Sequence, residues 1–279
     1  MFPLNLLDAA GVWDVAQGRA LGSTDSTHRP GGGLARGLNV SRPSSVRLSS
    51  GRFAQRLASR RGLLVAAVIA ALGPIVFLVS EAISALAWRT PRYDYLYNFI
   101  SDLGTTVCGS EYSGRLMCSP LHAVMNVGFV TMGILIALAV TLVAQRVAGL
   151  RRVALLVIGW SIPVGMTLVA TFPGGVESVE DGTVFLHVLG AGIAIIAGNT
   201  AAIVMGSNAR ALGFARWYRL TTVILGTVGL IGLVLTVAET ALLTPAIFER
   251  VAVYSIFAWL FVTTAQLVVL VPRPGRMVK

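Results

Sequence analysis

The chain has 279 residues, of which 55% are hydrophobic and only 12% charged, against about 25% charged in a soluble domain. Its net charge is +10, yet no aromatic-interleaved basic motif accompanies that charge, so a nucleic-acid partner is excluded. Composition therefore points away from a soluble globular protein and towards a polytopic membrane protein.

The first 61 residues form a basic segment rich in Gly, Ser and Arg, with Pro30-Gly31-Gly32-Gly33 and Arg42-Pro43-Ser44-Ser45. No apolar run follows a basic start, as it would in a secretory signal. Low hydrophobicity and positive charge predict a disordered cytoplasmic tail. From residue 62 the character changes. Apolar stretches at 62–88, 121–143, 153–172, 184–206, 220–238 and 251–271 carry no charge except Glu81. Each approaches the ~20 residues a helix needs to cross a bilayer. The expected fold is all-α, a six-helix transmembrane bundle over 62–272 with a short tail at 273–279. Eighteen of the 22 Lys and Arg lie in the two tails and in the loops after spans two and four. Only Arg89, Arg92, Arg115 and Arg250 lie in the other loops. The positive-inside rule then puts both termini in the cytoplasm, and anionic lipid headgroups would be attracted to the basic side.

Residues 89–120 form the longest loop between spans. Thr90-Pro91 reads as a helix start and Gly104 as a stop. Between them Leu96, Phe99, Ile100 and Leu103 share one face, and Asp94, Asn98, Ser101 and Asp102 the other. This predicts a short amphipathic helix on the outer membrane surface, its polar face meeting water or closing over a pocket. Cys108 and Cys118 lie in the same loop, on the side that permits disulfides. Without a Cys-x-x-Cys motif or a second pair to relay electrons, a structural disulfide is expected.

Along the spans, polar groups gather in the outer half. Glu81 lies about 10 Å below the outer end of span one. His122 and Asn126 share a face of span two. His187 opens span four and Glu239 ends span five. Ionisable groups in hydrocarbon are functional candidates by default. Glu81, Asn98, Ser101, Asp102, Ser119, His122, Asn126, His187 and Glu239 are therefore the candidate lining of an outward-facing polar pocket. The acidic loop 173–183, with Glu177, Glu180 and Asp181, lies beside His187 as a lid that could complete a cation site. Asn199 and Gln266 lie deeper. Gly226, Gly229 and Gly232 in span five and Gly190, Gly192 and Gly198 in span four read as packing seams. Pro74 and Pro163 are expected kinks, and Trp88, Trp217, Tyr218 and Tyr254 interfacial anchors. No phosphate loop, zinc-protease motif or nucleophile elbow is present.

The run Tyr97-Asn98-Phe99-Ile100-Ser101-Asp102-Leu103-Gly104, then Cys118-Ser119-Pro120-Leu121-His122 with Met125-Asn126, resembles the bacterial six-span family called domain of unknown function 998. Phe172-Pro173 and His187 with Gly190 fit the same pattern. The resemblance covers about residues 62–271 and implies a multi-pass protein of the bacterial plasma membrane, without implying a reaction.

Three functions are compatible with these residues. A non-catalytic protein would hold a lipid headgroup or small solute in the outer pocket. A membrane-embedded hydrolase would hold zinc on His122, His187 and Asp102, with Ser119 orienting a lipid-borne substrate. An electron-transfer protein would use His122 and His187 as axial ligands of a b-type haem. The last two need spans two and four to be neighbours. A scaffold role, a protein partner or a second copy of the chain is also compatible. The absence of a three-plus-three repeat speaks against a secondary transporter.

Overall fold

The computed structural model describes residues 60–238 and 243–271. The expected basic tail before Arg60, the tail 273–279 and Glu239 lie outside the described residues. In a bilayer every backbone N–H and C=O must find a partner within the protein, so long apolar runs become helices. Six helices are long and apolar enough to span: α1 (Arg60–Ala87), α2 (His122–Ala144), α3 (Leu150–Thr171), α5 (Val184–Ser207), α7 (Arg216–Ala238) and α8 (Pro245–Val269). Short helices α4 (Val176–Glu180) and α6 (Ala209–Leu212) sit in loops. The chain is a six-span membrane protein.

The spans pack in sequence order as a closed ring, α1 on α2, α2 on α3, α3 on α5, α5 on α7, α7 on α8 and α8 back on α1, with a further contact between α5 and α8. Phe77 of α1 stands at its centre, edge-on to Phe129 of α2 and Phe257 of α8. Glycine seams let neighbours approach. A β-carbon on Gly165 would stand 2.5 Å from the Gly190 carbonyl, and one on Gly226 would stand 2.5 Å from the Asn199 carbonyl. Gly192, expected in the seam, instead has nothing within 4 Å of its β-carbon position.

Four expectations need correction. Helix α8 starts at Pro245, six residues before the uncharged run, because Thr244 and Pro245 supply its N-terminus and internal partners accommodate Glu249 and Arg250. The loop helix expected from Pro91 is present only as a 3-10 turn, Ser101–Gly104, and the residues before it run as turns. Its expected polar face is divided: Asp94 is exposed, whereas Asn98 and Asp102 are buried. Of the four expected anchors only Trp217 is exposed. Trp88 and Tyr218 are fully buried, and Tyr254 is half-buried against Glu81.

After the 3-10 turn, β1 (Ser110–Tyr112) and β2 (Arg115–Met117) form an antiparallel hairpin with Ser110 opposite Met117 and Tyr112 opposite Arg115. Ser113 (φ 49°) and Gly114 (φ 74°) make the two-residue turn, whose positive φ angles match the twist of the strands. The Cys108–Cys118 disulfide closes its base.

Candidate functional site

The end of the bundle that carries the hairpin, here the disulfide end, is filled by Tyr93 and residues 98–105, with 94–97 exposed at its rim. Ile100 and Leu103 are 1% and 0% exposed and drop into the ring as apolar plugs. Irregular backbone is tolerated at such depth only where protein groups replace water, and the spans supply them. Asn126 of α2 donates to the Gly104 carbonyl at 3.0 Å. Ser119 donates to the Leu103 carbonyl at 2.7 Å. Arg250 of α8 donates to the Asn98 carbonyl at 2.7 Å, and the Glu249 carboxylate accepts the Ile100 N–H. At the rim Thr244 donates to the Leu96 carbonyl. Asp102 receives the Phe99 N–H at 2.9 Å and Arg115 Nε at 3.0 Å.

Beside the plug, Glu81 is 2% exposed, and the Tyr254 hydroxyl reaches its two carboxylate oxygens at 2.8 and 2.9 Å. Arg250 lies over the rings of Tyr93 and Tyr95, 5.7 and 5.2 Å from their centroids, and donates to the Tyr93 hydroxyl. Tyr93 in turn donates to the Phe99 carbonyl at 2.9 Å. Burial holds the Tyr93 phenol far above its usual titration range, so it stays a neutral donor. At the ring centre a cavity of about 30 Å³ is bounded by Phe77, Phe129 and Met166, with Ser101 and Glu249 as its polar wall. That is room for about one or two waters.

The sequence candidates thus fall into two groups. Glu81, Asn98, Ser101, Asp102, Ser119 and Asn126 converge on the plug and its setting, where all but Ser101 have a side-chain hydrogen bond within the protein. His122 and His187 make no side-chain hydrogen bond to the plug itself. His122 Nδ1 donates to the Ser119 carbonyl at 3.1 Å. His187 Nδ1 donates to the Phe172 carbonyl at 2.8 Å on the far side of α3. The set expected for zinc, His122, His187 and Asp102, is therefore corrected. Among the described residues no three His, Cys, Asp or Glu side chains gather for a metal ion. Span three stands between spans two and four in the ring, and Asp102 is committed to Arg115. The two histidines expected as haem ligands sit on those same non-adjacent spans.

Glu249, Arg250, Tyr93 and Tyr254 are the site residues the sequence reading missed. Thr244-Pro245 was the signal: it starts α8 early enough to carry Glu249 and Arg250 into the bundle.

A second concavity opens on the same end. Thr105, Thr106, Val107, Thr171, Phe172, Pro173, Gly174, Gly175, Glu177, Ser178, Asp181 and Thr183 line a half-open pocket of about 310 Å³. Thr105 ties its two walls together by donating to the Gly174 carbonyl at 2.9 Å. His187 lies behind Gly174, its Nε2 3.6 Å from the β-carbon position there. Asp181 accepts from the Thr183 hydroxyl and N–H at 2.6 and 2.8 Å, which holds its carboxyl below the usual range. Exposed Glu177 makes no such bond among the described residues.

A six-helix membrane bundle whose mouth is closed by an inserted loop is the class defined by this arrangement. The family described as Protein of unknown function (DUF998) matches residues 71–266, and the chain belongs to it. No curated protein matches the chain, and no solved structure matches it.

Proposed function

We propose that the protein binds, without covalent chemistry, a small cationic group in the pocket between residues 105–107 and 171–183. The group is an amine, borne either by a lipid headgroup or by a free solute. The observation that carries this reading is the lining itself. It offers hydroxyls and two carboxylates, Glu177 and Asp181, and no Lys, Arg or His. A concave wall of one sign concentrates counter-charged ligands, and an unpartnered Glu177 at the rim is free to meet one. Binding is favoured over catalysis because the buried Ser178 hydroxyl is spent on the Gly175 carbonyl at 2.8 Å. The plug supports the same reading, since it fills the bundle centre and this pocket opens beside it.

The arginine distribution and the disulfide support an orientation with that end extracytoplasmic. The domain reading, with a disordered cytoplasmic tail before a six-span body, is part of the same proposal.

The test is thermal stabilisation of the nanodisc-embedded protein by ethanolamine or choline, and separately by discs containing phosphatidylethanolamine in place of phosphatidylglycerol. Stabilisation that Glu177→Gln abolishes is expected. The arm that responds assigns the source, free amine or lipid. Equal responses of wild type and Glu177→Gln in both arms overturn the proposal.

A further inference from the structure

Of the four basic residues at the disulfide end, one is paired with an acid, one is hydrogen-bonded inside the protein, and two are neither. Arg115 pairs with Asp102 at 3.0 Å. Arg250 is held by carbonyls and tyrosines. Arg89 and Arg92 are exposed, and among the described residues neither has a carboxylate within salt-bridge distance, Arg115–Asp102 being the ion pair found there.

These two arginines are not scattered surface charges. They face each other as an antiparallel backbone bridge. The next pair outward in the chain, Trp88 and Tyr93, closes the same turn through a Tyr93 N–H to Trp88 carbonyl bond of 3.2 Å. Side chains alternate faces along extended backbone. Trp88 and Tyr93 therefore point into the protein, 1% and 8% exposed, with ring centroids 5.5 Å apart. Arg89 and Arg92 point the other way from one rigid base. Directly opposed residues have β-carbons about 5 Å apart, and like charges so placed repel. A turn that opposes two arginines on one backbone bridge, with no carboxylate paired to either among the described residues, calls for an anion between them.

Position names the anion. The bridge begins two residues after the last residue of membrane-spanning α1, at the level of lipid headgroups. Below it α1 presents exposed Val79, Ile83 and Leu86, the last 76% exposed. Exposed Tyr95, Leu96 and Tyr97 lie just beyond it in the chain, as residues of a membrane interface do. Guanidinium forks match phosphate oxygens bidentately.

We infer that Arg89 and Arg92 form a clamp for the phosphate of an anionic phospholipid whose acyl chains lie along α1. This site is separate from the amine pocket and does not depend on it.

The experiment is native mass spectrometry of the delipidated full-length protein titrated with phosphatidylglycerol, phosphatidylcholine or inorganic phosphate. It compares wild type, Arg89→Gln/Arg92→Gln, and Arg151→Gln/Arg152→Gln. The last removes the same charge at the opposite end. At about fivefold per arginine, the first double variant should bind phosphatidylglycerol roughly twenty-five-fold more weakly. The Arg151→Gln/Arg152→Gln protein should lose only the few-fold expected of a diffuse basic surface, equal weakening by the two double variants would overturn the clamp, and the melting temperatures of both lipid-free variants should match wild type. Equal binding by wild type and Arg89→Gln/Arg92→Gln overturns the clamp. So does equal retention of phosphatidylcholine and phosphatidylglycerol, and so does saturation by inorganic phosphate that displaces the lipid.

Discussion

Gly104 and Asn126 meet so closely that a β-carbon on Gly104 would stand 2.4 Å from Asn126 Oδ1, while Asn126 Nδ2 donates to the Gly104 carbonyl at 3.0 Å. The plug can seat only because residue 104 has no side chain. Gly104→Ala should push the amide away, lose its hydrogen bond and lower stability by about 1–3 kcal/mol. Gly104→Ala/Asn126→Ala should be less destabilised than the sum of its single variants, since the clash disappears with the amide. Melting temperatures in detergent for the four proteins of this cycle check it. Strict additivity would mean that the two residues are not in contact.

Glu81 and Tyr254 make a second such pair, within the spans. Glu81→Gln keeps an oxygen to accept the Tyr254 hydroxyl, whereas Glu81→Leu leaves that hydroxyl unpartnered at a cost of about 1–3 kcal/mol. Glu81→Gln should therefore be the milder change, and Glu81→Leu/Tyr254→Phe should recover part of the loss. The measurement is again the melting temperature of the detergent-solubilised protein. Equal tolerance of Gln and Leu would contradict the hydrogen bond.

The six spans and the resemblance of 97–126 to the family were readable because span length and hydropathy are local properties. The conformation of the loop was not. Thr-Pro occurs at 90–91 and at 244–245, and it starts a helix only at the second. After Pro91 the polar side chains compete with the backbone for its own hydrogen bonds. Asn98 Oδ1 takes the Asp94 N–H, Asp94 Oδ1 takes the Leu96 N–H, and Asp102 takes the Phe99 N–H. The remaining groups are met by Asn126, Ser119, Glu249 and Arg250, all distant in sequence. Helical spacing placed Asn98 and Asp102 on one face correctly, but it could not reveal that Arg115 turns that face inward. Ring order, which separates His122 from His187, is likewise invisible to single-sequence periodicity.

The Cys108–Cys118 bond should leave no free thiol on intact cells under non-reducing conditions, since it accounts for both cysteines of the chain. Alkylation should label both only after reduction. Removing the bond by Cys108→Ser/Cys118→Ser should cost roughly 2–3 kcal/mol for so short a loop. Most of that loss should be local, because the hairpin's one fully buried side chain is Met117. Limited proteolysis should therefore cut between residues 108 and 118 well before the spans unfold. Labelling of both thiols without reductant would refute the bond.

Arg250 joins the plug to α8 by means lysine cannot reproduce. Its guanidinium reaches the Asn98 and Ala246 carbonyls at 2.7 and 3.1 Å, bonds the Tyr93 hydroxyl, and lies over two aromatic rings. A lysine ammonium keeps the charge but loses the planar fork and the stacking. Its desolvation penalty remains and fewer bonds offset it, so Arg250→Lys should cost about 2–4 kcal/mol. The loss should appear first in the plug. Amide hydrogen exchange at residues 98–104 should accelerate strongly, while the glycine seam between α3 and α5, which Arg250 does not touch, should keep wild-type protection. Uniform acceleration across all six spans would mean that Arg250 supports the whole bundle; unchanged exchange at 98–104 would mean that the plug is held without it.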